Sequence, residues 1–225
     1  MAQGDTVNTV RLFNGKDLSG WRSTAAQAEH EWTVAKRVKL DPGDDARFIV
    51  EPGTGVFYNG PHGRTTDLCT ETRHGDCELH IEFCVPKGSN SGVYLMGHYE
   101  IQIFDSWGVP EPTYADCGGI YCQWINDQAV GGTPPRVNAS KPPGVWQTYD
   151  VVFRAPRFDA NGNKIANARF IRVVHNGIVI HEDVEVGGPT RASMPGPERA
   201  QGPLMLQGDH GPVAYRNVRM RMVAR

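Results

Sequence analysis

No run of apolar residues in the 225-residue chain approaches the roughly 18–20 that a membrane-crossing helix needs. An excess of charge is missing too: 23 Lys and Arg face 25 Asp and Glu, for a net charge of −2. The chain therefore lacks the electrostatic footprint of a nucleic-acid binder or of a protein that clings to an anionic membrane. Cysteine is sparse. Cys69, Cys77, Cys84, Cys117 and Cys122 are an odd set for a disulfide framework, and none stands in a Cys-x-x-Cys zinc pattern. Free, buried thiols are the plain expectation, with a Cys117–Cys122 bridge across a Gly-containing turn as the alternative. The chain contains no Gly-x-Ser-x-Gly elbow, no His-Glu-x-x-His, no P-loop and no EF-hand pattern. Gly53-Thr-Gly55 with Gly60 reads as a hairpin rather than a dinucleotide fingerprint, and chance accounts for the Asn138-Ala-Ser140 sequon. The opening Met1-Ala-Gln-Gly-Asp-Thr-Val7 has neither the charged nor the apolar region of a signal peptide. That leaves a cytoplasmic protein or one that begins after a removed leader.

Glycine and proline are abundant, at 26 and 16 residues, nearly a fifth of the chain against a usual ~12 %. Both disfavour helix interiors. Helical patterning is confined to one or two turns over Ala25–Glu31. Strand patterning is widespread. In Cys77–Val85, Leu79, Ile81, Phe83 and Val85 alternate with Glu78, His80 and Glu82, a period of two with one apolar and one polar face. Further strands are expected at Trp32–Leu40, Arg47–Val50, Gly55–Tyr58, Val93–Met96, Tyr99–Phe104, Gly119–Trp124, Trp146–Arg154, Leu204–Gln207 and Val213–Val223. Arg169–His175 and Ile178–Val186 flank Asn176-Gly177, the positive-φ pair of a type I′ hairpin. Ser106–Gly144 and Gly187–Gly202 are long Pro/Gly-rich loops, which in compact domains are usually functional or mobile. About a dozen short strands without βαβ alternation predict an all-β fold, an antiparallel β-sandwich formed as one domain over residues 1–225.

Three clusters could carry chemistry. In Tyr99-Glu-Ile-Gln-Ile-Phe-Asp105, Glu100 and Gln102 share a face while Ile101 and Ile103 point to the core. Asp105 has the wrong parity, and a bulge near Phe104 would return it to the polar face. In Glu78-x-His80-x-Glu82, three polar groups share a strand face, where they could line a cleft, hold a divalent metal with a third ligand from elsewhere, or meet solvent. Around Leu206-Gln-Gly-Asp-His-Gly211, the residues Asp209, His210 and Arg216 flank a turn that could aim them at a cleft mouth. Of five tryptophans, Trp107 and Trp124 lie in or beside the long loop and are the candidates for stacking on a sugar.

These segments, with Leu12-Phe-Asn-Gly-Lys-Asp-Leu-Ser-Gly-Trp21, Asn90-Ser-Gly-Val-Tyr94, Gly119-Ile-Tyr121, Trp146-Gln-Thr-Tyr-Asp150, Asn176-Gly177 and Arg216-Asn217, resemble in order the 3-keto-disaccharide hydrolase domain family. The ordered set, spanning nearly the whole chain, carries the resemblance rather than any single motif. It implies a concanavalin-like jelly roll whose concave sheet holds a small carbohydrate. Glu100-Ile-Gln-Ile-Phe-Asp105 also resembles the Glu-x-Asp-x-x-Glu strand of laminarinase-type glycosidases. Gln102 replaces the middle Asp and Asp105 the final Glu, which tells against a conventional two-carboxylate mechanism.

The family resemblance implies cleavage of glycosides already oxidised at sugar carbon 3. A base takes the acidified C2 proton, the C1 substituent leaves by β-elimination, and addition of water gives net hydrolysis. On this expectation Glu100 is the base. His80, Arg216 or a divalent cation held by His80, Glu82 and Glu100 stabilises the enolate. Asp105 or His210 protonates the leaving group, and Gln102, Tyr94 and Gln207 orient hydroxyls, with Glu82, Trp107 and Asp209 as further contacts. The alternatives are a retaining laminarinase-like glycosidase and a non-catalytic sugar-binding module. The resemblance also implies an exported protein whose leader is absent from this sequence, with a cytoplasmic one left open.

Overall fold

Alternation in Cys77–Cys84 is what builds the larger of the two main sheets, beside which two small two-stranded ones lie. The strand buries every odd position and leaves Glu78, His80 and Glu82 half-buried on the other side. A computed structural model of the protein describes residues 9–25 and 29–223. In it Cys77–Cys84 lies between Gln147–Arg154 and Ala214–Met222. The sheet continues outward on one side through Ala168–His175 to Ile178–Val186. On the other it continues through Asp44–Tyr58 to Thr33–Asp41, and Thr9–Arg11 also pairs with Ala214–Met222. The smaller sheet runs Trp21–Ser23, Leu68–His74, Gly202–Leu206, Asn90–Leu95, Tyr99–Phe104. Neighbouring strands are antiparallel in both sheets.

The sheets stack face to face. Leu79, Ile81 and Phe83 of the larger meet Val93, Leu95, Ile101, Ile103 and Leu206 of the smaller in one buried cluster. Each such side chain contributes about 1.5–3 kcal/mol on leaving water. Two polar ties cross this core. The Tyr149 hydroxyl donates to the Gln102 carbonyl at 2.7 Å, and the Ser91 and Tyr215 hydroxyls lie 2.8 Å apart. The chain is thus the all-β antiparallel sandwich its patterning predicts, with no helix among the described residues. At the hairpin tip Asn176 and Gly177 both have positive φ, 51° and 84°, the requirement of a type I′ turn.

Several strands differ from expectation. Arg47–Val50 and Gly55–Tyr58 belong to one 15-residue strand, Asp44–Tyr58, which bends at Gly53 and Gly55 instead of ending there. Gly119–Trp124 is not a continuous strand. Ile120 bridges Ile101 and Thr133, while Gln123–Ile125 forms a small hairpin with Gln128–Val130. Leu68–His74 and Trp21–Ser23 are strands that the sequence pattern does not predict, because they carry little alternation. The helical turns expected over Ala25–Glu31 fall partly on residues 26–28, outside the described residues, and Ala25 and residues 29–31 are not helical. All five cysteines are buried and unbridged, so Cys117 and Cys122 form no disulfide.

Candidate active site

Tyr99–Phe104 is an edge strand of the smaller sheet, yet both of its faces are covered. Ile101 and Ile103 enter the core, and Glu100 and Gln102, on the outward face, are each only 3 % exposed. Two loops cause this. Residues 118–121 run along the strand edge, with Gln102 N donating to Gly119 O at 2.8 Å, Gly118 N to Gln102 O at 2.9 Å and Tyr121 N to Glu100 O at 3.2 Å. The segment after Val186 folds over the end of the strand, where Thr190 N donates to His98 O at 2.8 Å and the Glu100 amide donates to the Thr190 hydroxyl at 3.2 Å.

Between these loops and the sheet lies a cavity of about 300 Å³, the size of one sugar ring with room for water. Glu100 and Gln102 form its floor with Asn90 and Tyr94 of the neighbouring strand, where Tyr94 stands directly across from Glu100. Tyr121 and Arg191 come from the covering loops, and Gln207 and His210 from the turn after Gly202–Leu206. Gly92 makes room for this arrangement. A Cβ there would lie 2.3 Å from a Glu100 carboxyl oxygen and 2.9 Å from the Tyr94 ring.

The electrostatics follow from the burial. Desolvation pushes the Glu100 carboxyl up to about 8, a hydrogen bond from the Tyr94 hydroxyl opposes the rise, and the Asp67 charge reinforces it. Burial and the Glu100 charge push Tyr94 well above the usual tyrosine range, so it stays a neutral donor. Gln102 spends its amide nitrogen on the Ala115 carbonyl at 3.2 Å, and the Gln207 nitrogen lies 3.2 Å from His210 Nδ1. Both amide oxygens are left buried without a donor. Unpaired buried acceptors are costly, and a ligand rich in hydroxyl groups supplies the missing donors. His210 Nδ1 also contacts the Asp209 carboxylate. A proton on Nδ1 therefore donates there and leaves Nε2 as the nitrogen available for exchange.

Arg191 is the cation of this cavity. Its amide donates to Cys122 O at 2.8 Å, and its guanidinium lies 4.1 Å above the Trp124 ring. Ala192 beside it holds a φ of 59°, a left-handed conformation that a non-glycine residue rarely adopts and that concentrates at functional sites. Arg191 lies within the Pro/Gly-rich loop of residues 187–202, and neither it nor Asn90 nor Tyr121 is among the site residues expected from the sequence. No periodic pattern marks any of the three. The signal that could have found Arg191 is a cation between short loop-anchoring residues, Thr190 and Ser193, in a segment too long to be a simple connection.

The structure brings together Glu100, Gln102, Tyr94, Gln207 and His210, and separates the others. His80, Glu82 and Arg216 lie on the outer face of the larger sheet, across the core from Glu100, so the expected neighbourhood of the residue-80 and residue-100 strands does not exist. The parity of His80 and Glu82 is as predicted, but their polar face is the outside of the other sheet. There His80 Nδ1 contacts Asp150 at 2.6 Å, and Glu82 accepts from Arg216 Nε and Asn217 Nδ2, both at 2.6 Å. Trp146 stacks under Arg216 at 4.1 Å. His80, Glu82 and Glu100 therefore cannot share a metal, and no group of three or more His, Cys, Asp or Glu among the described residues is placed to hold one. Asp105 does not return to the polar face, because Asn90–Leu95 pairs with Tyr99–Phe104 without a bulge. Its carboxylate accepts from the Gly88 amide at 2.9 Å instead, outside the cavity. Asp209 does not itself line the cavity; its carbonyl accepts from Arg64 at 3.0 Å. Trp107, 57 % exposed, and Trp124, 45 % exposed with Arg191 over one face of its ring, do not line the cavity.

Comparison with known proteins bears on the family and the fold. The family model of the 3-keto-alpha-glucoside-1,2-lyase-like domain matches residues 8–221. No curated protein matches the chain. Among solved structures, one "putative glycosyl hydrolase" from Parabacteroides distasonis ATCC 8503 is 28% identical, with a TM-score of 0.67 over 96% of this chain and 84% of the other. Another from the same organism is 21% identical, with a TM-score of 0.59 over 96% of this chain and 100% of the other.

Proposed function

The chain belongs to the 3-keto-alpha-glucoside-1,2-lyase-like domain family, and from that premise we propose that it cleaves glycosides carrying a ketone at sugar carbon 3. The protein is a carbohydrate-processing hydrolase or lyase at the level of the family. The finer reading rests on one observation above all: a glutamate with its carboxyl raised to about 8, the one carboxyl among the residues lining a ring-sized cavity.

A ketone at C3 acidifies the C2 proton. Glu100 as carboxylate takes that proton, and its raised pKa makes it a stronger base than a solvated carboxylate. The electron pair moves into the C2–C3 bond and puts negative charge on the C3 oxygen. Arg191 is the cation on hand for that charge, held in advance by Trp124 and by its own backbone. The pair then returns to form the C1–C2 double bond, and the C1–O bond breaks. His210 is the donor for the departing oxygen: in its imidazolium form it keeps the Nδ1 proton on Asp209 and passes the Nε2 proton to the leaving group, becoming neutral. Gln102, Gln207, Asn90 and Tyr121 hold hydroxyls, which satisfies the unpaired amide oxygens. Addition of water to the unsaturated product gives net hydrolysis, and its release unchanged gives a lyase. The laminarinase-like alternative requires a second carboxylate ~5–5.5 Å from the first, and Asp105, its candidate, is engaged with Gly88 outside the cavity.

The test is the release of aglycone from a 3-keto-glucoside by Glu100→Gln, with folding checked by circular dichroism. A loss of about 10³-fold or more is expected, in line with removal of a general base that initiates the reaction. Turnover near the wild-type level removes Glu100 as the base. Release from an unoxidised β-glucan at a comparable rate favours the retaining glycosidase, and wild-type inactivity on both favours a binding module. Substrate turnover after chelator treatment, with and without added divalent cation, decides metal dependence separately.

A further inference from the structure

The outer face of the larger sheet carries a second concavity, of about 360 Å³, on the far side of the sandwich from Glu100. Its floor is the middle pair of strands, Gln147–Arg154 and Cys77–Cys84. Its walls are arginines from the flanking strands, Arg172 on one side and Arg219 and Arg221 on the other. Three strand-to-strand steps separate the walls, roughly 14 Å at ~4.8 Å per step. Two arginine side chains and a ring-sized molecule fill such a span.

The charges on this face do not cancel. Its carboxylates are taken, each by a group other than Arg172 or Arg219. Asp150 contacts His80 at 2.6 Å, and Glu78 accepts from Arg221 Nε at 2.9 Å. Glu82 is held by Arg216 and Asn217. Glu182, the cross-strand neighbour of Arg172, turns to Arg136. Arg172 and Arg219 are left without a carboxylate partner among the described residues. Arg11 stands directly opposite Arg219 in the ladder, and the two also line a small crevice beyond the groove. Like charges in that position repel, so this strand pair favours a counter-ion. A third observation is independent of the arginines. His80 Nε2 is buried at the groove floor with no hydrogen-bond partner, and the nearest carboxylate oxygen, from Glu82, is 3.8 Å away.

We propose that this groove is a binding site for an oxyanion carried on a small, ring-sized molecule, the oxyanion gripped between Arg172 and Arg219 and a hydroxyl of the same molecule donating to His80 Nε2, since the ring spends its Nδ1 proton on Asp150. Carboxylate, sulfate and phosphate share the required chemistry, since each offers a planar or pyramidal set of oxygens to a guanidinium fork. The site is separate from the Glu100 cavity and stands whether or not the reaction proposed above is right.

Calorimetric titration of the full chain with sodium glucuronate, sodium sulfate and inorganic phosphate tests it, beside the Arg172→Ala/Arg219→Ala double variant. At least one anion is expected to bind saturably, weakened tenfold or more in the double variant, and to raise the melting temperature of the wild type but not of that variant. Glucuronate binding alone identifies a carboxylated sugar as the ligand class, and sulfate or phosphate binding alone identifies an ester of those acids. Aglycone release by the double variant should stay within twofold of wild type, which separates this site from the Glu100 cavity. Absence of saturable binding by all three anions, or equal affinity in wild type and double variant, overturns the proposal. Should the double variant fail to fold, Arg219→Gln keeps the stem and loses the charge. Its affinity must then fall at least threefold, and an unchanged affinity is equally fatal.

Discussion

Glu82 and Glu100 are the same side chain on two strands of similar length, on the outer faces of opposite sheets, and their fates diverge. Burial opposes ionisation of both. At Glu82 hydrogen bonds from Asn217 and Arg216 and the Arg216 charge overcome that opposition, and its carboxyl sits below the usual glutamate range. At Glu100 one tyrosine hydroxyl is the donor that favours the carboxylate, and the carboxyl rises to about 8. One glutamate is satisfied by its own protein, while the other is held in an environment that disfavours its charge. The energetic lesson is that a carboxylate earns reactivity from what is withheld from it, and that the fold bears the cost.

The comparison breaks most visibly at Arg191. Arg191→Ala should lower kcat by about 10²–10³-fold, the usual effect of losing one stabiliser of a developing oxyanion, whereas Arg216→Ala on the other face should leave kcat unchanged. Steady-state kinetics on a 3-keto-glucoside reads both, and a large effect at Arg216 would erase the distinction between the faces. Gly92→Ala comes next. Its Cβ meets the Glu100 carboxyl and the Tyr94 ring, and displacing the base by about 1 Å should cost on the order of 10²-fold in kcat/KM. Activity indistinguishable from wild type would mean that Glu100 has no fixed position.

Titration sharpens the comparison further. The raised Glu100 pKa means that the folded state binds its proton more tightly than the unfolded chain, whose glutamate titrates near 4.5. Stability from this group is complete below pH ~4.5 and is lost as pH rises through about 8. Glu100→Gln should therefore melt several degrees higher than wild type at pH 8, a gain of a few kcal/mol, and the gain should vanish near pH 4. Activity of the wild type should rise with pH through the same region, because the carboxylate is the working form. An unchanged melting temperature across pH 4–8 would contradict the burial argument. The smallest effect is expected at Glu82→Gln. Its partner Arg216 is more than a third exposed, so the loss should stay under about 1 kcal/mol in denaturant unfolding, with no change in turnover.

Much of the sandwich is legible in the chain because strand periodicity is local. The alternation in Cys77–Cys84, the Asn176-Gly177 turn and the shared face of Glu100 and Gln102 follow from bond geometry over a few residues. Leu68–His74 was not legible. It lies between two strands of the smaller sheet, and its sequence, Leu-Cys-Thr-Glu-Thr-Arg-His, has no clean alternation. The site was half legible for the same reason. A strand face marks Glu100 and Gln102 and a turn marks His210, while Tyr94 and Gln207 enter only through the mechanism the family resemblance implies, and Arg191 reaches the cavity from a loop about 90 residues further along the chain.

By itself, then, the sequence determined which side chains share a face and where the chain must turn, since φ/ψ preferences and a period of two act between near neighbours. Which sheet each strand joins was settled only by tertiary structure. His80 and Glu82 have the parity of site residues and lie across the core from the cavity, because antiparallel pairing with Gln147–Arg154 and Ala214–Met222 carries their strand into the larger sheet. The burial that makes Glu100 unlike Glu82 was decided there too, by two loops whose contacts span up to about 90 residues and whose effect on a carboxyl comes from excluding water.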